Sequence, residues 1–309
     1  MKTLIFYDEP LFEIVRALEK RLQSHGDVVI EVCHPDLQRG LYAGSLIYDD
    51  DRRCRHRSWR NWNDLAQQLG CRLLLPKEVG PTRVQIRFEK LHNSSFHAQN
   101  TLDKAEKYGV LSEFAQIRKN EESAFLLPLM QALKLCALTT RRRLLNLGVN
   151  RGDELHLIES LMEAKDFKAL ECIGIDHSHS AIAQARESFN AAHCHFYAAD
   201  INQLKALNLG SFDLIMSIGT LQSPGIAYKP FLMELVQEHL SSNAALLLGF
   251  PNSRWIDGEL IYGAKMKNYR ESELSLVLSD IDFAKRYLQQ KKFQVRIFGR
   301  EYLFLVATK

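Results

Sequence analysis

The apolar positions of this chain change period several times, and each change marks an element. Lys2-Thr-Leu-Ile-Phe-Tyr7 is a short apolar run, Leu11 to Leu22 repeats its apolar positions at helical spacing, and Val28-Val-Ile-Glu-Val-Cys33 follows as a second strand-like run. Strand, helix and strand follow, with the turn-forming residues Ser24-His-Gly-Asp27 before the second strand. A helix is expected from the Trp59-Arg-Asn-Trp62 segment to Leu69. Cys71-Arg-Leu-Leu-Leu75 and the alternating Arg83-Val-Gln-Ile-Arg-Phe-Glu-Lys90 add two strands, the latter half exposed. Residues 1–92 thus read as a small α+β accessory domain. Asn93-Ser-Ser95 reads as a linker. Leu102 to Leu138 is mainly helical, with Phe114, Ile117, Phe125, Leu126, Leu129 and Leu133 as its apolar stripe and Glu113, Glu121 and Glu122 on polar positions. Residues 93–140 form a helical linker or cap.

From residue 141 the pattern becomes a regular alternation of short apolar runs and helical segments. The runs are Arg143-Leu-Leu-Asn-Leu147, Ala169 to Ile175, Cys194 to Ala199, Phe212 to Ile218 and Ala244 to Phe250; helical spacing appears in Glu154 to Leu161, Ala181 to Arg186 and Lys229 to Leu240. Such alternation predicts an α/β domain over 141–309. Its last two runs, Phe293 to Phe298 and Glu301 to Ala307, are joined only at Gly299-Arg300, so they must be antiparallel.

The strand ends carry the candidate chemistry. The first opens into Gly148-Val-Asn-Arg-Gly152 and then a helix, whose unpaired N–H groups lie over the strand's carboxyl end. The second ends in Asp176 and the third in Asp200; the fourth opens into Gly219-Thr-Leu-Gln-Ser-Pro224. Ligands of open α/β sheets gather at that edge. For Asp176 the alternative is a helix N-cap before Ser178.

This succession resembles the class I methyltransferases that use S-adenosylmethionine, whose first motif is acidic-x-Gly-x-Gly-x-Gly. Here it reads Asn146-Leu147-Gly148-Val149-Asn150-Arg151-Gly152, with asparagine replacing the acid and the middle glycine. Asn tolerates the left-handed backbone, so the turn can survive, while an amide at 146 brings no charge. The resemblance covers roughly residues 100 to 309. It implies a seven-stranded, doubly wound methyltransferase sheet with an antiparallel last strand, which counts against an all-parallel nicotinamide-binding sheet. It also implies that Gly148 and Gly152 shape the cofactor turn, that Asn146, Asn150 and His177 adjoin it, and that Asp176 takes the ribose. Asp200 with the backbone of Ile201 would take the adenine, while Ser217 and Gly219 would face the methyl donor. The fourth-strand segment lacks the Asp/Asn-Pro-Pro-aromatic motif of enzymes that methylate exocyclic amines in nucleic acids. It looks like the small-molecule and wobble-nucleoside branches instead. Tyr108 or Phe114 would cover the methionine end, or belong to the core.

Between the fifth strand and the last helix, Pro251 to Arg270 is longer than a crossover needs and begins at the ligand edge. Arg254 and Lys265 could hold an anionic group, Trp255 or Tyr269 could stack on a planar one, and Asp257 or Tyr262 could take a proton. The alternative is an ordered surface lid.

Length, charge and cysteine content narrow the class. At 309 residues with 46% hydrophobic content, the chain can bury a sizeable core. A net charge of +3 does not by itself call for nucleic acid. Locally, Arg52-Arg-Cys-Arg-His-Arg57 with Trp59 and Trp62 could pair phosphates and stack bases, or form a solvated turn beside Asp49-Asp-Asp51 with both tryptophans in the core. No apolar run reaches the roughly 18 residues of a membrane span, and Asp8, Glu9 and Pro10 stand where a signal peptide would be apolar, so a cytoplasmic protein is expected. The six cysteines are scattered with no C-x-x-C pair, which argues for reduced structural thiols rather than a zinc ribbon or a disulfide framework. No metal is expected. The sequence therefore predicts a methyltransferase acting on a small metabolite or an RNA nucleoside, or else a noncatalytic module that keeps the fold.

Overall fold

The computed structural model describes residues 3–38, 40–49, 51–91, 109, 117–223, 225–256, 259–262 and 274–309, with backbone alone over 253–256, 259–262 and 274–276. It divides into two compact units, residues 1–94 with 255–261, and residues 95–254 with 262–309.

The first unit runs β1 (Leu4–Ile5), α1 (Leu11–Ser24), β2 (Asp27–Cys33), β3 (Leu46–Asp49), β4 (Arg52–Arg55), α2 (Trp59–Gln68), β5 (Cys71–Leu73), β6 (Lys77–Glu78) and β7 (Arg83–Lys90). β1 lies parallel to β2, β7 lies antiparallel to β2, and β5 and β6 both pair with β7. Alternation sets the core: Val28, Ile30 and Val32 of β2 sit opposite Phe88, Ile86 and Val84 of β7, and all six are buried. Helix α1 covers them with Ile14, Leu18 and Leu22, one stripe at four-residue spacing. Helix α2 starts at a capping box, with Ser58 and Asn61 each bonding the other's backbone N–H, and buries Trp62, Leu65 and Ala66. β3 and β4 form a separate hairpin where the sequence suggested only a basic turn. It carries a small core of its own, Cys33, Ile47 and Cys54.

The second unit continues with α3 (Ser123–Leu135), β8 (Arg143–Leu147), α4 (Asp153–Leu161), α5 (Ala164–Lys168), β9 (Glu171–Asp176), α6 (His179–Ser188), β10 (Cys194–Ala198), β11 (Phe212–Ile218), α7 (Tyr228–Glu234) and β12 (Leu240–Pro251). Along the chain a hairpin of β13 (Ser253–Ile256) and β14 (Glu259–Tyr262) comes next, its residues 255–261 counted with the first unit, and the second unit resumes with α8 (Leu274–Gln290), β15 (Gln294–Gly299) and β16 (Tyr302–Thr308). The expected long helix resolves, among the described residues, into a 3-10 turn over Lys119–Glu121, α3, and a second 3-10 turn over Leu138–Thr140. Tyr108 and Phe114 lie outside the described residues.

The seven-stranded sheet has the order β10-β9-β8-β11-β12-β16-β15. β8 to β12 are mutually parallel, whereas β16 is antiparallel to β12 on one side and β15 on the other. Both faces are covered, which is why the strands read as continuous apolar runs. Leu144, Leu214, Met216 and Leu247 belong to one core and Leu145, Ile215, Leu246 and Leu248 to the other. This is the predicted doubly wound sheet with a reversed last strand. No helix among the described residues is long and apolar enough to cross a membrane.

Candidate functional site

The sheet grows outward from β8 in two directions, through β9 to β10 and, after a return, through β11 to β12. The loops leaving β8 and β11 therefore part at a topological switch, where the carboxyl edge opens a crevice. They also touch: a Cβ on Gly148, whose φ is +77°, would lie 1.8 Å from Thr220 Oγ1. Gly148 N–H and Val149 N–H both donate to the Ile175 carbonyl, at 2.8 and 3.1 Å, and tie the turn to β9. Asn150 takes the left-handed conformation, with φ +46°, and Gly152 caps α4.

Asp176 stands at the carboxyl end of β9 and is 6% exposed. One carboxylate oxygen accepts Asn150 N–H at 2.9 Å, and the other accepts Ser178 N–H at 3.0 Å. The cap of α6 is Ser178 itself, whose hydroxyl accepts Ala181 N–H at 3.2 Å, so Asp176 is not the N-cap. His177 is half exposed, with Nδ1 3.5 Å from Asp176. Asp200 belongs to the same rim, because β10 runs parallel to β9 with Ala198 opposite Asp176. Exposed to solvent, its carboxylate accepts Asn202 N–H at 2.9 Å and starts a 3-10 helix in which Ile201 is buried. Ser217 is turned inward: its hydroxyl donates to the Leu147 carbonyl at 3.2 Å across the β8–β11 pair. Gly219 leaves room for Tyr302, whose hydroxyl oxygen would lie 3.1 Å from a Cβ placed there.

Two residues at this rim, Lys119 and Glu154, carry no signal of a role in the sequence, and a third, Asn146, takes on another one in the fold. Lys119 donates to the Tyr302 hydroxyl and sits 4.6 Å from that ring's centre. Glu154, in the first turn of α4 and half-buried, is pushed up to about 7 by desolvation, against its own backbone N–H and the field of Lys119 and with that of Asp153 and Asp176. An acid there reads in sequence only as a partner for the helix dipole. Asn146 was singled out, but not for what the fold makes of it. It is 2% exposed, and its Nδ2 is buried with no hydrogen-bond partner among the described residues. A hollow of about 400 Å³ lined by Phe189, Cys194 and Tyr197 lies at the outer β10 edge, away from the switch.

The expected acceptor segment after β12 holds a hairpin instead of a plain loop. Arg254 and Trp255 fall on β13 and Tyr262 on β14, while Asp257, Lys265 and Tyr269 lie outside the described residues. The basic segment is occupied internally. Arg53 and Arg55 both pair with Asp8, Arg55 at 2.9 Å, and Arg52 donates to the Tyr7 hydroxyl at 2.7 Å. Arg57 is buried, donates to the Glu9 carbonyl at 2.6 Å and lies over the Trp62 ring. Trp62 is core, and Trp59 donates its indole N–H to Asp36 at 2.8 Å. The neutralising acid is thus Asp8 rather than the Asp49 to Asp51 run.

Strand order, reversed last strand and a glycine turn at the switch together define a class I methyltransferase fold. A model of the methyltransferase domain matches residues 139–295, just over half of the chain. The chain belongs to this methyltransferase family, whose members take their methyl group from S-adenosylmethionine. Among solved structures it is similar to the plantazolicin methyltransferase BpumL in complex with SAH, at TM-score 0.45 and 15% identity over 66% of this chain and 93% of that one. An O-methyltransferase family protein from Burkholderia thailandensis matches at TM-score 0.43 and 14% identity, over 66% and 63% of the two chains. The methyltransferase domain of bacterial CtHen1 matches at TM-score 0.43 and 14% identity, over 60% and 98%. No curated protein matches the chain in sequence.

Two features of the rim fit that cofactor. A carboxylate offers about four acceptor positions, and Asp176 spends two on backbone N–H groups, so two remain for a pair of ribose hydroxyls. The unpartnered Nδ2 of Asn146 is a buried donor, and a cofactor carboxylate would satisfy it where the family's usual acid would repel it.

Proposed function

We propose that the protein methylates a small molecule, the acceptor being held over the β8–β11 switch. The observation that carries this choice over RNA is the internal occupation of the arginines. Arg55 and Arg57 already hold Asp8 and the Glu9 carbonyl, and Arg57 is buried, so a phosphate would have to break those contacts to gain them. S-adenosylmethionine supplies the methyl group as a sulfonium electrophile.

What the chain's own residues contribute is position. Asp176 and Asp200 would grip the nucleoside from neighbouring strand ends, with the backbone at Ile201 beside the base. Gly148, Asn150 and Gly152 hold the turn open, with His177 at its margin, and the backbone at Ser217 and Gly219 lines the far side. Alignment of this kind replaces a strong base in much of the rate enhancement of group transfer. Arg254 and Tyr262, where the hairpin leaves and rejoins the second unit, are proposed to meet the acceptor and to take its proton. Lys265 and Tyr269 are further candidates from the same segment. A second reading, a module that binds the cofactor without turnover, draws on the amide at Asn146.

The test is transfer of labelled methyl from S-adenosylmethionine into cell extract split into small-molecule and RNA pools. Label in the small-molecule pool is expected, and it should survive in the Arg53→Ala/Arg55→Ala/Arg57→Ala variant. Label in RNA that disappears in that variant overturns the choice of acceptor. Calorimetric binding of the cofactor with no label in either pool favours the noncatalytic module.

A further inference from the structure

In the first unit, three potential metal ligands converge from three strands. Cys33 is the last residue of β2, Asp49 the last of β3, and Cys54 lies within β4. Their Sγ and carboxylate oxygen atoms all fall within 4.8 Å of one another. Strand alternation places them there. Ile47 and Asp49 share one face of β3, and Cys54 stands opposite Ile47 in the hairpin register. That face packs on the end of β2, where Cys33 and Cys54 are both buried.

The surroundings suit a cation bound by thiolates. Arg83, directly opposite Cys33 in the β2–β7 pair, holds Glu31 at 2.9 Å and lies 3.7 Å from Asp49. Its Nη1 is buried and has no hydrogen-bond partner among the described residues, which leaves a donor beside the cluster for a thiolate to accept. A dication bound by two thiolates is neutral as a unit, the thiol protons leaving as it binds.

We propose that Cys33, Asp49 and Cys54 bind a thiophilic divalent cation of the zinc class. Zinc takes cysteine sulfur at roughly 2.3 Å and carboxylate oxygen at roughly 2.0–2.2 Å in tetrahedral geometry, which sets ligand atoms roughly 3.3–3.8 Å apart. The 4.8 Å bound on the cluster lies above that spacing, so the three side chains would draw together on the ion. A fourth position falls to water, or to the imidazole of His56, two residues beyond Cys54. His56 is buried, and its Nδ1 has no hydrogen-bond partner among the described residues. Two thiolates and a carboxylate select zinc over magnesium or calcium, which prefer oxygen donors. The ion would fasten the β3–β4 hairpin, whose own core is three side chains, to the end of β2. This proposal is independent of the methyltransferase site.

The test titrates the reduced full-length chain with Co²⁺ as a spectroscopic substitute. One equivalent should give thiolate-to-cobalt absorption in the near ultraviolet and tetrahedral bands in the visible, displaced by Zn²⁺. Cys33→Ser and Cys54→Ser should abolish the thiolate band, and Asp49→Asn should weaken binding roughly tenfold or more. Cys172→Ser/Cys194→Ser, which removes the other close thiol pair, should leave the band intact. X-ray absorption at the zinc edge of the wild-type chain needs no core substitution, and two sulfur neighbours are expected. An edge spectrum with only oxygen and nitrogen neighbours, or a cobalt band that follows Cys172 and Cys194, overturns the proposal.

Discussion

Glu154 and Asp176 are carboxylates at one sheet rim in opposite circumstances. Asp176 receives two backbone N–H groups, whereas Glu154 is held up at about 7 chiefly by desolvation. The folded chain therefore keeps the Glu154 proton more tightly than the unfolded chain, whose value is the ordinary 4.5. Stability from this group is fully present below about 4.5 and is lost as pH rises through about 7. Glu154→Gln removes that loss, and because the side chain is only half-buried the gain should be about 1–2 kcal/mol at pH near 8. Denaturant unfolding across this range would read it, and a variant with the wild-type slope would refute the assignment. With the cofactor seated at this rim as proposed, its sulfonium and ammonium would favour the ionised acid. Calorimetric affinity for S-adenosylmethionine should then rise with pH through about 7 in the wild type and rise less in Glu154→Gln.

Elements were legible in proportion to how far their own residues decide them. The strands β8, β9, β11, β12 and β16 are buried on both faces, so each reads as a mostly apolar run, broken only by single polar positions such as Asn146 and Ser217 or at its ends. The hairpins were not. β4 is Arg52-Arg-Cys-Arg55, and nothing in that composition says strand; it becomes one because Cys54 and Ile47 share a face against β2. For the same reason the Cys33, Asp49 and Cys54 cluster has no sequence spacing to announce it. The methyltransferase turn lies between these cases: its glycines were readable, but its contact with the β11 loop was not. That contact gives a prediction. Gly148→Ala introduces both a methyl 1.8 Å from Thr220 Oγ1 and a left-handed alanine, and should cost about 2–4 kcal/mol. Thr220→Gly in the same chain should relieve the steric part while leaving about 1–2 kcal/mol from the backbone. Full recovery in the double variant, read by urea midpoint, would show that the turn does not hold its positive φ.

At the scale of the whole molecule, the two units have separate hydrophobic cores, one built on Ile14, Trp62 and Phe88 and the others on the two faces of the seven-stranded sheet. Each also carries its own proposed ligand chemistry, the cofactor rim in the second and the thiol cluster in the first. A ligand that binds only the folded state stabilises by about 2.7 kcal/mol at a hundredfold excess over Kd, whichever unit holds it. Each ligand's gain should appear mainly in the transition of the unit that holds it. Scanning calorimetry of the reduced, metal-free chain is accordingly expected to resolve two transitions. S-adenosylhomocysteine should raise one by about 5–10 °C, and Zn²⁺ should raise the other. Cys54→Ser should remove the zinc shift and leave the cofactor shift unchanged, while Asp176→Ala should do the reverse. A single transition that both ligands raise together would mean that the two units unfold as one cooperative body. Two transitions with zinc acting on the cofactor-sensitive one would instead move the metal site out of the first unit.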